Sequence, residues 1–591
     1  MTEIRAEILE PLRRSLDWLL SLRDGDGRIV CPEHKLEHTG KSACAAITAA
    51  ELWRHAEQGP ERDGFLAAAR QQGRRLVANL VREDTGPCHT FRPGRHDPFN
   101  CSNSVIDGGA CSDALAHLVA ALGVELAAED REAFAQASLL HARTYLRYAV
   151  LDKGIPAQRA WGLTGLAAAH ALEGGEADGD LARAALEAVG LLEGIQHGDG
   201  SYPYHPLAWG AVHPGASDVS AFYQSRLTAF LIFALERLGH DPTDARFRGP
   251  LERGLDFLCA LQGPDGIKTG MVEAKPWYWG AAYEVASHPF DVYALASGFR
   301  LFGKPRYAVA AARAHRAWVA HLGLDGRPKS HAAGAGRGRS YQCPVFWAAH
   351  ACWLARAAED LEAILATGAD REPERGPNDC DVEYFPEASL VRLEDARVVA
   401  WVRGGRPACN VHHGSPHGAG LIRVVSRPDA RDLVERCRLG GANEAEWTGK
   451  KGLPSLVRGL SAGGSELRFA MWLARVHARA GRRKDALLEP LRVFKRGVLA
   501  FGHARVGSAF DLAPVLEIKD HGVTLTGRLA HRDGTPVARS SLRREYRVDG
   551  RGLVVEERLE RAGGARAVAF QVPRAASDVE RNGTEIRYRL G

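Results

Sequence analysis

The densest set of acid/base and anion-binding side chains runs from Asp199-Gly-Ser-Tyr-Pro-Tyr-His-Pro through Trp209-Gly-Ala-Val-His-Pro to Ser217-Asp-Val-Ser-Ala-Phe-Tyr-Gln-Ser-Arg. Ser217 is an N-cap residue type and is expected to open a helix, with Tyr223 in its second turn. Arg226 lies three residues further on, on the same helical face, and His213 sits in the loop just before. A His, a Tyr and an Arg at one helix mouth make an acid/base set with an anion clamp. That set suits β-elimination of a uronic-acid glycoside. The C5 proton becomes removable once the carboxylate charge is neutralised by Arg, Asn, Gln or a metal. A His or Tyr takes the proton, and a Tyr can protonate the departing O4.

A second loop reads Cys88-His-Thr-Phe-Arg-Pro-Gly-Arg-His-Asp-Pro-Phe-Asn-Cys-Ser-Asn. Asn100 and Asn103 could donate amide hydrogens to a uronate, or cap the next helix. Histidines also gather in the longer loops: His34, His38, His89, His96, His197, His205, His213, His288 and His331, out of 24 in the chain. Aromatic platforms and cations accompany them. Arg92, Tyr204, His205, Trp277, Trp279, Tyr283, Lys329 and Arg339 are the expected substrate-binding set, because rings stack on sugar faces and Arg forks pair with planar anions. Further on, Cys409-Asn-Val-His-His-Gly-Ser-Pro-His-Gly places three histidines within six residues. If that segment is extended, His412 and His413 project to opposite sides. His413 or His417 could then face back towards the helical half. His412 and His417 are weak metal candidates, since no spaced fourth ligand accompanies them. No cofactor is expected to be required, with a structural divalent metal (Zn or Ca) as the open alternative.

Hydrophobic periodicity describes what must hold these loops. Ile8, Leu12, Leu16 and Leu19 open a helical series. Amphipathic stretches follow at about 41–57, 62–83, 109–125, 129–149, 157–173, 180–196, 217–239, 248–262, 289–303, 305–322 and 343–367. Connections after even-numbered helices are short. Those after odd-numbered ones are long, at 24–40, 84–108, 197–216, 263–288 and 323–342, apart from 150–156. Antiparallel neighbours alternate ends, so the long loops share one rim, and long loops in compact domains are commonly functional. The pattern predicts an (α/α)6 toroid of twelve helices with a cleft on that rim. An internal repeat of helix end plus Asp-Gly turn supports it, at Asp26-Gly, Asp199-Gly, Asp265-Gly and Asp325-Gly. It speaks for architecture and not for a site.

From about residue 383 the period becomes that of strands. Arg397-Val-Val-Ala-Trp-Val-Arg, Gly420-Leu-Ile-Arg-Val-Val-Ser and Gly552-Leu-Val-Val-Glu-Glu-Arg-Leu are examples, and Asp549-Gly marks a hairpin turn. The expected organisation is α+β multidomain: a toroid over 1–370, a linker over 371–382 and an antiparallel β-sandwich over 383–591.

The 591 residues carry 45% hydrophobic and 25% charged residues, as globular proteins do, which excludes disorder and collagen-like structure. Lys+Arg 77 against Asp+Glu 72 is too slight an excess for a nucleic-acid partner. No apolar run reaches the roughly 18 residues of a membrane span. The N-terminus has no signal-peptide pattern, and the 11 cysteines are odd in number without framework spacing. A bacterial-type cytoplasmic monomer or homodimer is expected, or a periplasmic or secreted one if the N-terminus has been trimmed.

Taken together, the sequence resembles the toroid-plus-sandwich polysaccharide lyases, the heparinase II/III-like and alginate lyase superfamily. The resemblance rests on the helix layout, on Asp199-Gly-Ser-Tyr leading to a Tyr-bearing helix, and on Tyr384-Phe-Pro-Glu-Ala-Ser-Leu-Val-Arg-Leu followed by a histidine-rich turn. It spans nearly the whole chain. It implies β-elimination of an anionic polysaccharide or oligosaccharide, with His213 and Tyr223 as the acid/base pair. It further implies Asn103 and Arg226 as carboxylate neutralisers, and His413 as a contribution from the sandwich. One departure stands out. Where members carry an Asn-His or Asn-Asn pair about fifty residues before the Tyr, this chain has Gln158 and Arg159, which are therefore expected at the substrate. The rival readings are a glycoside hydrolase on the same toroid, which needs two facing carboxylates, a non-catalytic carbohydrate-binding protein, and a terpene cyclase, which the strand-rich half disfavours.

Overall fold

Two patterns of side-chain burial separate the helices. The computed structural model describes residues 3–32, 35, 37–82, 87–91, 105–174, 179–203, 219–269, 286–329, 344–372, 374–376, 378–405, 419–435, 444–453, 471, 474–475, 478, 483–494, 504–531 and 534–591. Its helical half comprises α1 (Glu3–Ser21), α2 (Thr39–His55), α3 (Pro60–Asn79), α4 (Ile106–Leu122) and α5 (Ala128–His141), the last continued by a π-helical turn Ala142–Leu146 and Arg147–Asp152. There follow α6 (Pro156–Leu172), α7 (Asp180–Glu193), α8 (Ala221–Arg237), α9 (Ala245–Leu261), α10 (His288–Phe302) and α11 (Pro305–Ala320). The last unit, α12, is broken into Pro344–Ala349, Ala351–Arg356 and Ala358–Thr367. In α2 every residue from Thr39 to Leu52 is buried, and α4, α6, α8, α10 and α12 have comparable all-round runs. In α1 only a stripe is buried: Ile8, Leu9, Leu12, Leu16 and Leu19, with the helix-breaking Pro11 and the small Ser15. A helix that is apolar or small all round belongs inside, and a striped one belongs outside.

The packing follows from that division. The helices α2, α4, α6, α8, α10 and α12 contact one another in sequence, and α12 returns to α2, closing a ring. The striped helices lie outside it, α3 against α2 and α4, α9 against α8 and α10. Small residues allow the closest approach: a Cβ on Gly165 of α6 would stand 2.4 Å from the Gly109 carbonyl oxygen of α4. The repeated Asp-Gly turns tie the loops to the outer ring. Gly326 has φ +76°, and a Cβ there would collide with the Arg14 carbonyl of α1, so the turn seals the last connection against the first helix. A short hairpin, β1 (Leu80–Arg82) with β2 (His89–Phe91), opens the connection after α3 and was not expected from the sequence.

The strand half forms three antiparallel sheets. One is ordered β3 (Asp381–Phe385), β4 (Leu390–Glu394), β5 (Val398–Gly404), β6 (Ala419–Ser426), β7 (Asp432–Glu435). A four-stranded sheet joins β8 (Glu446–Lys450), β9 (Arg505–Gly507), β12 (Ala530–His531) and β15 (Arg566–Gln571) in the order β12-β9-β8-β15. The third contains β10 (Val515–Lys519), β11 (Gly522–Gly527), β13 (Ser540–Val548), β14 (Leu553–Ala562), β16 (Ser577–Asn582) and β17 (Glu585–Leu590), ordered β10-β11-β13-β14-β17-β16. Val398, Ala400 and Val402 of β5 face a core shared with Val523, Leu542 and Val555 of the third sheet, which makes a sandwich. Val399 and Trp401 point the other way and pack on Phe257 and Leu261 of α9. The Trp401 indole N–H donates to the Ala260 carbonyl at 2.8 Å, and Arg423 donates to the Ile267 carbonyl at 2.7 Å. The central strands β5 and β6 are thus buried on both faces along their whole length, which is why apolar residues dominate both.

Candidate functional site

The inner helices α2, α4, α6, α8, α10 and α12 all begin at the rim that receives the connections after odd-numbered helices, so their first turns share one level. Within the buried runs of α6, α8 and α12, one early side chain each is only half-buried: Gln158, Tyr223 and Phe346, each the third residue of its helix. These are the points where the inner ring opens towards the rim.

Tyr223 is held there by local structure. Ser220 Oγ accepts the Tyr223 backbone N–H at 3.4 Å, so Ser220 and not Ser217 caps α8, and Tyr223 stands in the first turn and not the second. Ser217 itself lies outside the described residues. Two Ser residues precede the helix, and the nearer one is in extended geometry at φ −116°, which starts the helix four residues later than expected. Gln224 fixes the preceding turn, accepting the Tyr202 N–H at 3.1 Å and donating to the Gly200 carbonyl at 3.0 Å. Asp199 in that turn accepts the Ala388 N–H at 3.0 Å, linking it to the strand half.

Arg226 lies one turn further along, buried, with its guanidinium carbon 5.3 Å from the Tyr223 ring and 3.9 Å from Phe222. The same guanidinium stands 5.1 Å from both Trp161 of α6 and Phe290 of α10, and 5.4 Å from Phe346 of α12. Opposite it, the Lys41 ammonium of α2 sits 4.6 Å from the Trp161 ring and 4.7 Å from Phe346. Lys41 also meets His350 Nε2 at 3.4 Å. The other ring nitrogen of His350 lies 3.0 Å from the Ala286 carbonyl. A carbonyl only accepts, so Nδ1 carries the proton and Nε2 is left to accept from Lys41. Burial, then the charges of Lys41 and Arg226, push the imidazole well below the usual histidine range, and it is neutral. Two cations therefore share one aromatic floor across the ring.

Of the residues expected from the sequence, the structure brings Tyr223 and Arg226 together and puts Gln158 on the same rim. The Gln158 side-chain oxygen is buried with no hydrogen-bond partner among the described residues. Arg159 does not join them. Its guanidinium donates to the carbonyls of Val150 and Leu151 at 2.8 and 3.2 Å and ties the corner between α5 and α6. Lys329 is exposed and donates to the Ala320 carbonyl at the end of α11, at 2.7 Å. His213, Asn103, His413, Arg92, Tyr204, His205, Trp277, Trp279, Tyr283, Arg339, His412 and His417 lie outside the described residues. Lys41, Trp161 and His350 were not foreseen. The signal was a lone Lys in Gly40-Lys-Ser-Ala-Cys-Ala-Ala and a lone His in Ala348-Ala-His-Ala-Cys-Trp, polar groups in runs that could only be buried. Among the described residues no group of three or more His, Cys, Asp or Glu could hold a metal ion, and no helix is long and apolar enough to cross a membrane.

No known family profile matches the sequence, and no curated protein matches it. Solved structures do. Chondroitin AC lyase from Streptomyces coelicolor A3 superposes with a TM-score of 0.51 at 14% identity, covering 94% of this chain and 66% of the lyase. The chain shares its toroid-plus-sandwich fold with that structure. That likeness takes in both halves. Sugar-active enzymes of other activities match over less of the chain: cellobiose 2-epimerase from Spirochaeta thermophila (TM-score 0.42, 13% identity, 62% of this chain and 96% of that one) and a family 88 glycosyl hydrolase from Bacteroides vulgatus (0.42, 13%, 61% and 99%). At these identities what is shared is the fold.

Proposed function

We propose that the rim of the toroid cleaves an anionic, uronic-acid-containing polysaccharide or oligosaccharide by β-elimination. The observation that carries this reading is Tyr223, half-exposed in an otherwise buried helix run, with the Arg226 guanidinium one turn beneath it. A phenol at the rim beside a buried cation can give or take a proton where negative charge develops. In the reaction, a base removes the C5 proton, the C–H electron pair becomes the C4–C5 double bond, and the C4–O4 bond breaks with its electrons leaving on O4. In this reading Tyr223 protonates that O4, with His213 as its partner. In the same reading Asn103 and Arg226 neutralise the uronate, so that the C5 carbanion character is spread onto the carboxyl, and His413 is the contribution assigned to the strand half. The two-domain likeness to a polysaccharide lyase supports this reading over the hydrolase alternative.

A panel of alginate, heparin, hyaluronan, chondroitin, glucuronan and pectin, followed by ultraviolet absorbance of the unsaturated uronate, tests it. Tyr223→Phe is expected to lower turnover on the active polymer by roughly 10²–10⁴-fold, as loss of one general acid/base does. Full elimination activity in Y223F, or new reducing ends without the unsaturated product, defeats the assignment.

A further inference from the structure

The chain shows how it buries a lysine when the role is structural. Lys268 is about 2% exposed, and its ammonium donates to Asp291 at 2.5 Å and to the hydroxyls of Ser225 and Ser287 at 2.6 Å each. Charge and hydrogen-bonding capacity are both matched. Lys41 is about 6% exposed and is held differently. Its described neighbours are two aromatic faces and the neutral Nε2 of His350, and no carboxylate of the described residues comes within ion-pair distance of it. A second cation, Arg226, shares its Trp161 and Phe346 rings. Taking the Lys41 ammonium out of water onto ring faces and an imidazole returns only part of the hydration lost. An anion arriving at the ammonium would make up the difference.

The position fits a ligand. Lys41 is the third residue of α2, on the level where Gln158, Tyr223 and Phe346 are the half-buried side chains of the inner ring. It reaches Trp161 across the ring, from a helix that is not the neighbour of α6 in the cycle. His350 accepts from the ammonium while bound through Nδ1 to Ala286, which fixes the direction in which the lysine points.

We propose that Lys41 is a specificity-determining residue, whose ammonium receives the carboxylate of an acidic sugar unit on the aromatic floor, with His350 as the positioning residue that aims it. This rests on the reading of the rim as a site for uronate sugars, and extends it from the Tyr223–Arg226 pair to a second anion-binding group on α2. The discrimination is between acidic and neutral sugars of the same shape.

The test compares a glucuronate-containing tetrasaccharide with its carboxyl-reduced, neutral counterpart, measured by calorimetric titration on the full chain. Wild type is expected to prefer the acidic ligand. Lys41→Gln keeps a donor for His350 Nε2 and removes the charge. It should weaken the acidic ligand by about 10- to 100-fold, the range of a charge-assisted hydrogen bond, and leave the neutral one within about twofold. An unaltered acidic-to-neutral ratio in K41Q overturns the proposal. Lys41→Met is carried alongside; if both neutral variants are unfolded at room temperature, Lys41 is a structural cation and the proposal falls. The two readings fail separately. Preference for the acidic sugar that depends on Lys41, without any unsaturated product from wild type, removes the elimination chemistry and keeps this inference. Elimination with an unaltered preference in K41Q does the reverse.

Discussion

The pockets around Lys268 and Lys41 lie at the same end of the toroid and solve one problem in two ways. At Lys268 the connection after α9 brings an ammonium against Asp291 in the first turn of α10 and Ser225 in α8. Burial pushes the Asp291 carboxyl up against the pull of Lys268, so the pair is a costly one held by geometry. At Lys41 the same kind of group rests on Trp161, Phe346 and His350. The first arrangement gives the ammonium a counter-charge and three acceptors and joins three chain segments. At the second, no carboxylate of the described residues meets the ammonium. Deeper in the ring the chain again matches its charges: Arg356 holds Asp113 in a bidentate pair at 2.8 and 2.9 Å, and Arg54 holds Glu51 at 2.8 Å. Glu51 lies ten residues beyond Lys41 on α2, about 15 Å further in.

Breaking the two lysines should separate these roles most visibly in stability. Lys268→Met leaves Asp291 buried without its ammonium, and chemical denaturation should show a loss of roughly 3–5 kcal/mol. A loss under about 1 kcal/mol would mean that Lys268 is no more structural than Lys41.

Acid sharpens the comparison next. Burial, with Arg316 nearby, lowers His315 to about 4, and His350 lies well below its ordinary value for the reasons given above. Below pH ~6.5 the unfolded chain takes up protons at these positions while the folded one does not, so stability is lost as pH falls. The slope is about 1.4 kcal/mol per pH unit for each such histidine, or on the order of 3 kcal/mol at pH 4 from His315 alone. In K41Q one of the charges that depresses His350 is gone, so denaturation midpoints should fall less steeply with acid than in wild type. Equal slopes in K41Q and wild type would show that Lys41 does not act on His350.

The smallest effect expected is that of K41Q on stability at neutral pH. Taking away an uncompensated buried cation should shift the unfolding free energy by no more than about 1 kcal/mol, and the sign should be neutral or stabilising, opposite to K268M. Destabilisation as large as that of K268M would place Lys41 among the structural charges.

Much of the frame was legible because it is encoded in local pattern. The helices of the first half were expected near where they stand, whereas the helix Arg483–Phe494 in the strand half was not; the difference between striped and all-round burial, from which the two rings follow, is written in α1 against α2. The alternation of β13, buried at every second residue, against the unbroken burial of β5 likewise separates a strand with one wet face from one covered on both. The start of α8 was misplaced because two serines offer the same capping chemistry, and only the backbone geometry at Ser220 chooses between them. Arg159 had the residue type of a substrate ligand, but its distance to the Val150 and Leu151 carbonyls is a matter of how α5 ends.

By itself the sequence determined the helix and strand periods, the rim that holds the long loops, and the residue types at Tyr223 and Arg226, since these depend on neighbours a few positions away. It did not determine the company of Lys41. Trp161 and His350 lie 120 and 309 residues from it along the chain, on helices whose own patterns speak only of burial. Closure of the ring brings the first, third and sixth inner helices to one axis, and it alone turns a lone buried lysine into half of a cationic floor.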